Sequence, residues 1–242
     1  MTLNYNSFKD LFSILYEDQY IIVTLKRPGL LVIPDRFKRE VSLRDILREI
    51  YNLPIYTVHR IDRGTAGIVL FAKDLETHRA LSIQFQKKQV TKRYLAIIEG
   101  ILSKPYLNIN LPIRKLGHGN KYKVDKIRGK PAMTRVMLRE RFENYNYTLV
   151  EIEPVTGKSH QIRVHLAYIG YPLAIDYLYN KFPKSEKFEE IFKPLLNLSP
   201  KVLSLHSYYL KFRHPYTKRF LEIKIDPIIE FQQVISNLSE KN

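Results

Sequence analysis

The chain has 242 residues, no cysteine, and 40 Lys and Arg against 24 Asp and Glu, giving a formal charge of +16 and a pI near 9.8. The missing thiols exclude disulfides, thiolate metal sites and cysteine nucleophiles and fit a reducing cytosol; the length suits one large domain or two small ones. A positive field of this size attracts polyanions. Nucleic acid is the first candidate, and an anionic membrane surface is a weaker second with no basic amphipathic helix to serve it.

The opening Met1-Thr2-Leu3-Asn4-Tyr5-Asn6 lacks the charged-then-apolar layout of a secretory signal. No apolar run approaches the ~20 residues needed to cross a bilayer. A soluble, cytoplasmic protein without a membrane partner is expected. Residues 20–25 read as a strand, the Pro28-Gly29 pair as a turn, and residues 30–33 as a resumed strand. Leu43, Ile46, Leu47 and Ile50 recur at helical spacing behind a Ser42/Asp45 capping box. Residues 67–72 form a continuous apolar run, a buried strand. Asp74 can cap a second helix through about residue 87, with Leu81 and Phe85 on one face.

Residues 94–98 are strand-like and end at Gly100. The stretch 114–130 is basic, with few large apolar residues, and predicts a surface loop or an exposed hairpin. Residues 148–153 are a strand stopped by Pro154. Ser159 is placed to cap a third helix over 160–169, with Gly170 in the left-handed C-cap position. Residues 177–202 mix charge and proline and have room for a short helix. Leu221, Ile223 and Ile225 alternate with charged residues, as in a half-buried antiparallel strand. Strands and helices mix without regular alternation, so the class is α+β. No linker interrupts the chain, and one domain over 1–242, with its core at about 14–228, is expected.

Two segments concentrate chemistry. In Val58-His59-Arg60-Ile61-Asp62-Arg63-Gly64-Thr65-Ala66-Gly67, a carboxylate lies between two arginines immediately before a buried strand. Flanking positive charge favours the carboxylate form, which suits a nucleophile or electrostatic stabiliser better than a general acid. A surface ion-pair cluster is the plain alternative. The second segment, Thr156-Gly157-Lys158-Ser159-His160-Gln161-Ile162-Arg163-Val164-His165-Leu166, opens a helix whose free N–H groups suit an anion. It is not a P-loop, because no glycine stands five residues before Gly157. His160 and His165 lack the i, i+4 spacing of a zinc helix, and no metal site is expected.

Together these segments resemble the RluA-type RNA pseudouridine synthases. His59-Arg60-Ile61-Asp62-Arg63-Gly64-Thr65-Ala66-Gly67 is similar to the family's H-R-L-D-x-x-T-S-G motif, and Leu70-Phe71-Ala72-Lys73 to its continuation. Lys92-Arg93-Tyr94-Leu95-Ala96 resembles K-x-Y-x-A, and the 156–166 segment resembles T-G-R-x-H-Q-I-R-x-H-L. Weaker agreement runs in order from about Leu15 to Asp226, through Pro112-Ile113-Arg114, Gly129-Lys130-Pro131-Ala132 and Phe212-Arg213-His214-Pro215. Ile61, Ala66 and Lys158 depart from the family's leucine, serine and arginine. Lysine is a point charge and so a less selective phosphate ligand than arginine's fork. The N-terminal S4 domain frequent in the family is not expected here.

The resemblance implies isomerisation of uridines in structured ribosomal or transfer RNA. Asp62 is then the essential carboxylate, with three courses open to it: attack at C1′, addition at C6, or removal of a sugar proton. Tyr94 matches the active-site tyrosine, and Arg163 the arginine that pairs with the aspartate. Arg60 matches the residue that fills the space left by the extruded base. His59 and Thr65 shape the Asp62 loop. Arg63, Arg114, Lys130, Lys158 and His160 are further candidate RNA ligands. The isomerisation is redox-neutral, so no cofactor is implied; a monomer without an obligatory protein partner is expected. The competing readings are a non-catalytic RNA-binding or ribosome-assembly protein, and a different enzyme using His59 or His160 as base.

Overall fold

A computed structural model describes residue 8 and residues 10–35, 40–117, 119–180 and 185–240. Its centre is the apolar run seen in the sequence. Strand β4 (Ala66–Ala72) is buried at all seven positions, as a strand covered on both faces must be. It pairs antiparallel with β2 (Ile21–Lys26) and with the short β3 (Tyr56–Thr57), and β2 pairs in turn with β1 (Phe12–Glu17). On its other side β4 meets β11 (Leu205–Arg213) in a short parallel contact, His206 opposite Ala66 and Ser207 opposite Gly67.

From β11 the sheet continues antiparallel through β5 (Thr91–Glu99), β10 (Tyr147–Pro154), β9 (Met133–Phe142) and β6 (Tyr106–Asn110). Strand β12 (Phe220–Lys224) hangs from β11, and β7 (Ile113–Lys115) with β8 (Tyr122–Val124) makes a separate hairpin. The fold is α+β, a large and mostly antiparallel sheet with five α-helices among the described residues.

The sheet divides two cores. On one face α1 (Leu43–Tyr51) and α3 (Gln161–Tyr168) bring Leu43, Ile46, Leu47, Ile162 and Leu166 against Val69, Phe71, Tyr94 and Ala96. On the other, α2 (Leu75–Gln86) lays Leu81 on Ile68 and Leu70. There α4 (Glu186–Leu196) and α5 (Ile229–Ser239) pack Phe188, Phe192, Phe231 and Val234 beneath Ala66 and Ile97. Loss of a fully buried leucine such as Leu47 from a core of this kind costs about 2–5 kcal/mol.

Local signals held where the partner lies close in sequence. Ser42 and Asp45 form a reciprocal capping box on α1, and Asp74 caps α2 through the Thr77 N–H. Gly170 takes φ +85 just beyond α3. The 114–130 stretch is the β7–β8 hairpin and its flanks, with residue 118 outside the described residues.

Three expectations need correction. Residues 30–33 are not a strand; they make one bridge, Leu31 to Ser42. The carbonyls of Leu31 and Val32 instead accept the Leu43 and Arg44 N–H groups at the start of α1, where helix donors lack internal partners. Ser159 does not cap α3. His160 occupies the cap position in the left-handed region (φ 55), and no side chain caps the helix there. The 177–202 stretch holds an 11-residue helix rather than a short one, α4, capped by Ser185; residues 181–184 of that stretch, like the opening residues 1–7, lie outside the described residues.

Candidate active site

Asp62 sits in the turn between β3 and β4, and the surrounding backbone pins that turn at consecutive carbonyls. Asp62 O accepts from Thr65 N–H at 3.1 Å, Arg63 O from Gly29 N–H at 2.9 Å, and Gly64 O from Leu203 N–H at 3.0 Å. The buried Lys26 ammonium adds bonds to Arg63 O at 3.1 Å and Arg27 O at 2.8 Å. A Cβ on Gly64 would stand 1.8 Å from Lys201 O, so the close approach requires glycine. His59 anchors the other end. Its Nε2 accepts the Leu70 N–H at 3.0 Å and its ring stacks on Phe85 at 4.9 Å. Burial, helped by the Lys92 charge, pushes its pKa down to about 3. His59 is therefore a neutral structural acceptor, and Thr65 is buried beside it in the loop.

The carboxylate meets α3 across the sheet. Arg163 Nη1 donates to Asp62 Oδ2 at 3.0 Å. The same guanidinium grips Asp176 with two further bonds, Nε to Oδ2 at 2.8 Å and Nη2 to Oδ1 at 2.7 Å. Arg163 and Asp176 are each 1% exposed in their side chains, and Asp62 is 19% exposed. The fork on Asp176 fixes the guanidinium in plane, leaving one N–H aimed at the single carboxylate that opens to solvent. Burial of Arg163 opposes its charge, but the two carboxylates outweigh it and raise its pKa.

His160 Nε2 lies 4.0 Å from Asp62 Oδ1, and its Nδ1 is 2.9 Å from the Tyr179 hydroxyl. Tyr179 also accepts the Tyr122 N–H of β8 at 2.9 Å, and its ring lies under Arg163 at 5.1 Å. The hairpin is thus tied through Tyr179 to His160, the ring beside the Asp62 carboxylate.

Tyr94 enters from β5. Burial pushes its phenol up to about 12, with the Asp62 charge adding to the shift and a hydrogen bond with Ser207 opposing it. The hydroxyl is therefore protonated at neutral pH. Lys26 is pushed down to about 7 by burial, against the attraction of Asp62. Lys92 is lowered to about 8 by burial.

Asp62 opens into a cavity of about 560 Å³, within the range of small-molecule sites, with Lys26, Asp176 and Tyr179 set behind its lining. It brings together Arg60, Asp62, Tyr94, Lys158, His160 and Arg163. Arg60 is exposed and makes no hydrogen bond or ion pair among the described residues. Gln161 shapes the opposite wall: its Nε2 donates to Met133 O and Thr134 Oγ1, and its Oε1 accepts from Lys158 N–H and Thr156 Oγ1.

Three sequence candidates lie outside the cavity lining. Arg63 turns to Glu40, Nη1 to Oε1 at 2.7 Å, and donates from Nε to Gly29 O at 2.8 Å. Arg114 pairs with Asp125 at 2.8 Å on the hairpin, and the Lys130 backbone bridges Ile113. Sequence reasoning missed Lys26, Phe85, Lys88 and Asp176. A charged residue directly closing an apolar run, Lys26 after 21–25 and Asp176 after 173–175, was the available signal for the first and last of these.

Residues 20–168 match the family model described as RNA pseudouridylate synthase. An uncharacterized RNA pseudouridine synthase of Aquifex aeolicus is 33% identical over 236 residues, covering 94% of this chain and 73% of that one. A dual-specificity RNA pseudouridine synthase RluA of Pasteurella multocida is 33% identical and is covered over 91% of its length by 88% of this chain. The ribosomal large subunit pseudouridine synthase C of the same organism is 34% identical, over 94% of this chain and 68% of that one. Human RNA Pseudouridylate Synthase Domain Containing 4 shares the fold, with a TM-score of 0.72 at 22% identity over 96% of this chain and 94% of that one. The chain belongs to the RNA pseudouridine synthase family, enzymes that isomerise uridine to pseudouridine in RNA.

Proposed function

We propose that this enzyme uses Asp62 as its catalytic carboxylate on uridines of structured RNA, with large-subunit ribosomal RNA as the first target to test. The observation that carries the reading is the geometry of Asp62: a half-open carboxylate, fixed by Arg163 at 3.0 Å, at the floor of a cavity whose other charged lining groups are cationic or histidine. The names of several relatives point to ribosomal RNA, and that of the RluA relative to more than one RNA.

A uridine inside a helix must leave its stack to reach Asp62, at a cost of a few kcal/mol. The exposed Arg60 at the rim is placed to fill the space it leaves, and Lys158 and Lys88 face the same opening. Asp62 then acts on the nucleoside while Arg163 holds its rotamer. The bond from N1 to C1′ breaks, the uracil turns within the cavity, and C5 joins C1′. Tyr94 offers its ring as a stacking wall and its hydroxyl near C5, where a proton must finally leave. Arg63, Arg114 and Lys130 serve RNA from outside the cavity. The enzyme works as a single-domain cytoplasmic monomer, without metal or cofactor. Among the described residues no helix is long and apolar enough to cross a membrane.

Pseudouridine mapping in total RNA from a deletion strain against its parent identifies the target. Purified protein restores the missing modification without added metal, and Asp62→Asn does not. Restoration by Asp62→Asn, or no missing position in any RNA, refutes the reading.

A further inference from the structure

A second depression adjoins the cavity that holds Asp62. It measures about 440 Å³, is lined by Arg44, Arg48, Tyr56, Thr57, Arg60 and His78, and shares the 58–60 edge with the first. Among the described residues no carboxylate lines it. Arg44 and Arg48 stand four apart on α1 and so share one face. Arg48 spends its Nε on Ile55 O at 3.2 Å, and its terminal nitrogens bond nothing among the described residues. Arg44 pairs with the neighbouring Asp45 at 3.3 Å.

Arg44 Nε and Thr57 Oγ1 are buried without a hydrogen-bond partner, a state that in folded proteins points to a missing ligand or water. His78 closes the wall, its ring tilted against Tyr56 at 5.6 Å and its Nε2 3.3 Å from Thr57 O.

We propose that this depression is a second RNA-backbone subsite. It takes the phosphodiester beside the nucleotide held over Asp62, with Arg44 and Arg48 as phosphate ligands and Arg60 shared between the two sites. The proposal rests on the RNA-modifying reading of the Asp62 cavity. A strand whose uridine reaches Asp62 must run out across the rim, and this exit is concave and cationic, with Asp45 pairing at Arg44 but outside the described lining. Guanidinium forks match phosphate oxygens in pairs.

The test is binding of a fluorescein-labelled 12-nucleotide oligouridylate by anisotropy, across a salt series. The parent, Arg44→Gln/Arg48→Gln and each single variant are compared with Lys187→Gln/Lys193→Gln, which removes the same charge from α4. Thermal melts confirm that each folds; the single variants carry the test if the double one does not. Each arginine lost should lower the slope of log K against log salt by about 0.7, the single-strand value, and the double variant should bind roughly tenfold more weakly at 0.15 M salt. The α4 variant should bind nearly as the parent does. Equal weakening in the α4 variant means a long-range field only, and an unchanged slope in the double variant means no phosphate contact; either overturns the subsite. Asp62→Asn, run in parallel, should bind normally and convert nothing. If it converts, the catalytic reading falls while the slopes still decide the subsite.

Discussion

Asp176→Asn tests whether the buried partner of Arg163 governs the site. In the parent, Asp176 Oδ1 accepts from Arg163 Nη2 and from the N–H groups of Leu178 and Tyr179, at 2.7, 2.9 and 3.2 Å, and Oδ2 accepts from Arg163 Nε at 2.8 Å. Asparagine can keep the Oδ1 bonds, but it sets an NH₂ against the Arg163 Nε–H, donor against donor. It also leaves a cation that is 1% exposed with a single counter-charge, the 19%-exposed Asp62. Breaking a buried pair from one side costs about 3–5 kcal/mol. At ~2–4 °C per kcal/mol for a chain of this size, Tm should fall by about 6–20 °C. Conversion should drop about 100-fold in the folded fraction, the usual cost of a misplaced catalytic group. Differential scanning calorimetry and single-turnover conversion read the two effects. In an Arg163→Met background, Asp176→Asn should cost far less, because its main partner is already gone. A Tm within about 2 °C of the parent, or additive losses in the two backgrounds, would refute the arrangement.

Asp62→Asn should lower conversion by about 10⁴-fold or more while RNA still binds; binding by anisotropy with product analysis by mass spectrometry checks both halves. Arg60→Ala should weaken RNA binding and lower its salt slope by about 1, and an unchanged rate at limiting RNA contradicts its place at the rim. His59 predicts an acid limb. Its folded pKa of about 3 lies below its ordinary 6.5, so between these values the unfolded chain binds a proton that the native state refuses. Stability therefore falls as pH drops through that window. His59→Gln should flatten the difference in urea midpoint between pH 6.5 and pH 4, and His206, also lowered to about 3 by burial, should retain part of it. An identical difference in the variant rules out His59 as its source.

What the sequence revealed depended on how near the deciding partner lies. The Ser42/Asp45 box and the Asp74 cap close within three residues and are legible as spacing. Strand β4 is legible because a seven-residue apolar run has few other uses. Residues 30–33 have the same composition, yet their carbonyls serve the first turn of α1, a demand set by packing rather than by the residues themselves. Helix α5 went unread although Phe231, Val234 and Leu238 stand at helical spacing and are buried against α4.

The site shows the same divide. Asp62, Tyr94 and Arg163 stand out in the sequence because each lies in a motif, and the fold brings Arg163 to Asp62 although 101 residues separate them. Asp176 lies in no motif, and only the fold brings it to Arg163. Arg63 lies beside Asp62 in sequence, yet its guanidinium reaches Glu40 and Gly29 outside the Asp62 cavity. Adjacency in sequence does not fix the direction of a side chain.

The charges of the site fall into two sets that salt should separate. Arg163, Asp176 and Lys26 are buried and act on Asp62 or its loop; Arg60, Lys88 and Lys158 face the opening. Exposed charges are screened within a Debye length of about 8–10 Å at physiological ionic strength, whereas buried pairs are screened far less. Three single-strand phosphate contacts give a slope of log K near −2, so affinity should fall by roughly tenfold or more between 50 and 200 mM salt. The geometry of Asp62 against Arg163 should not change over that range. Steady-state kinetics on a defined RNA should therefore show KM rising steeply while kcat stays level. A kcat that falls in step with affinity would mean that the rim cations also hold the carboxylate in place, and that the buried pair alone does not.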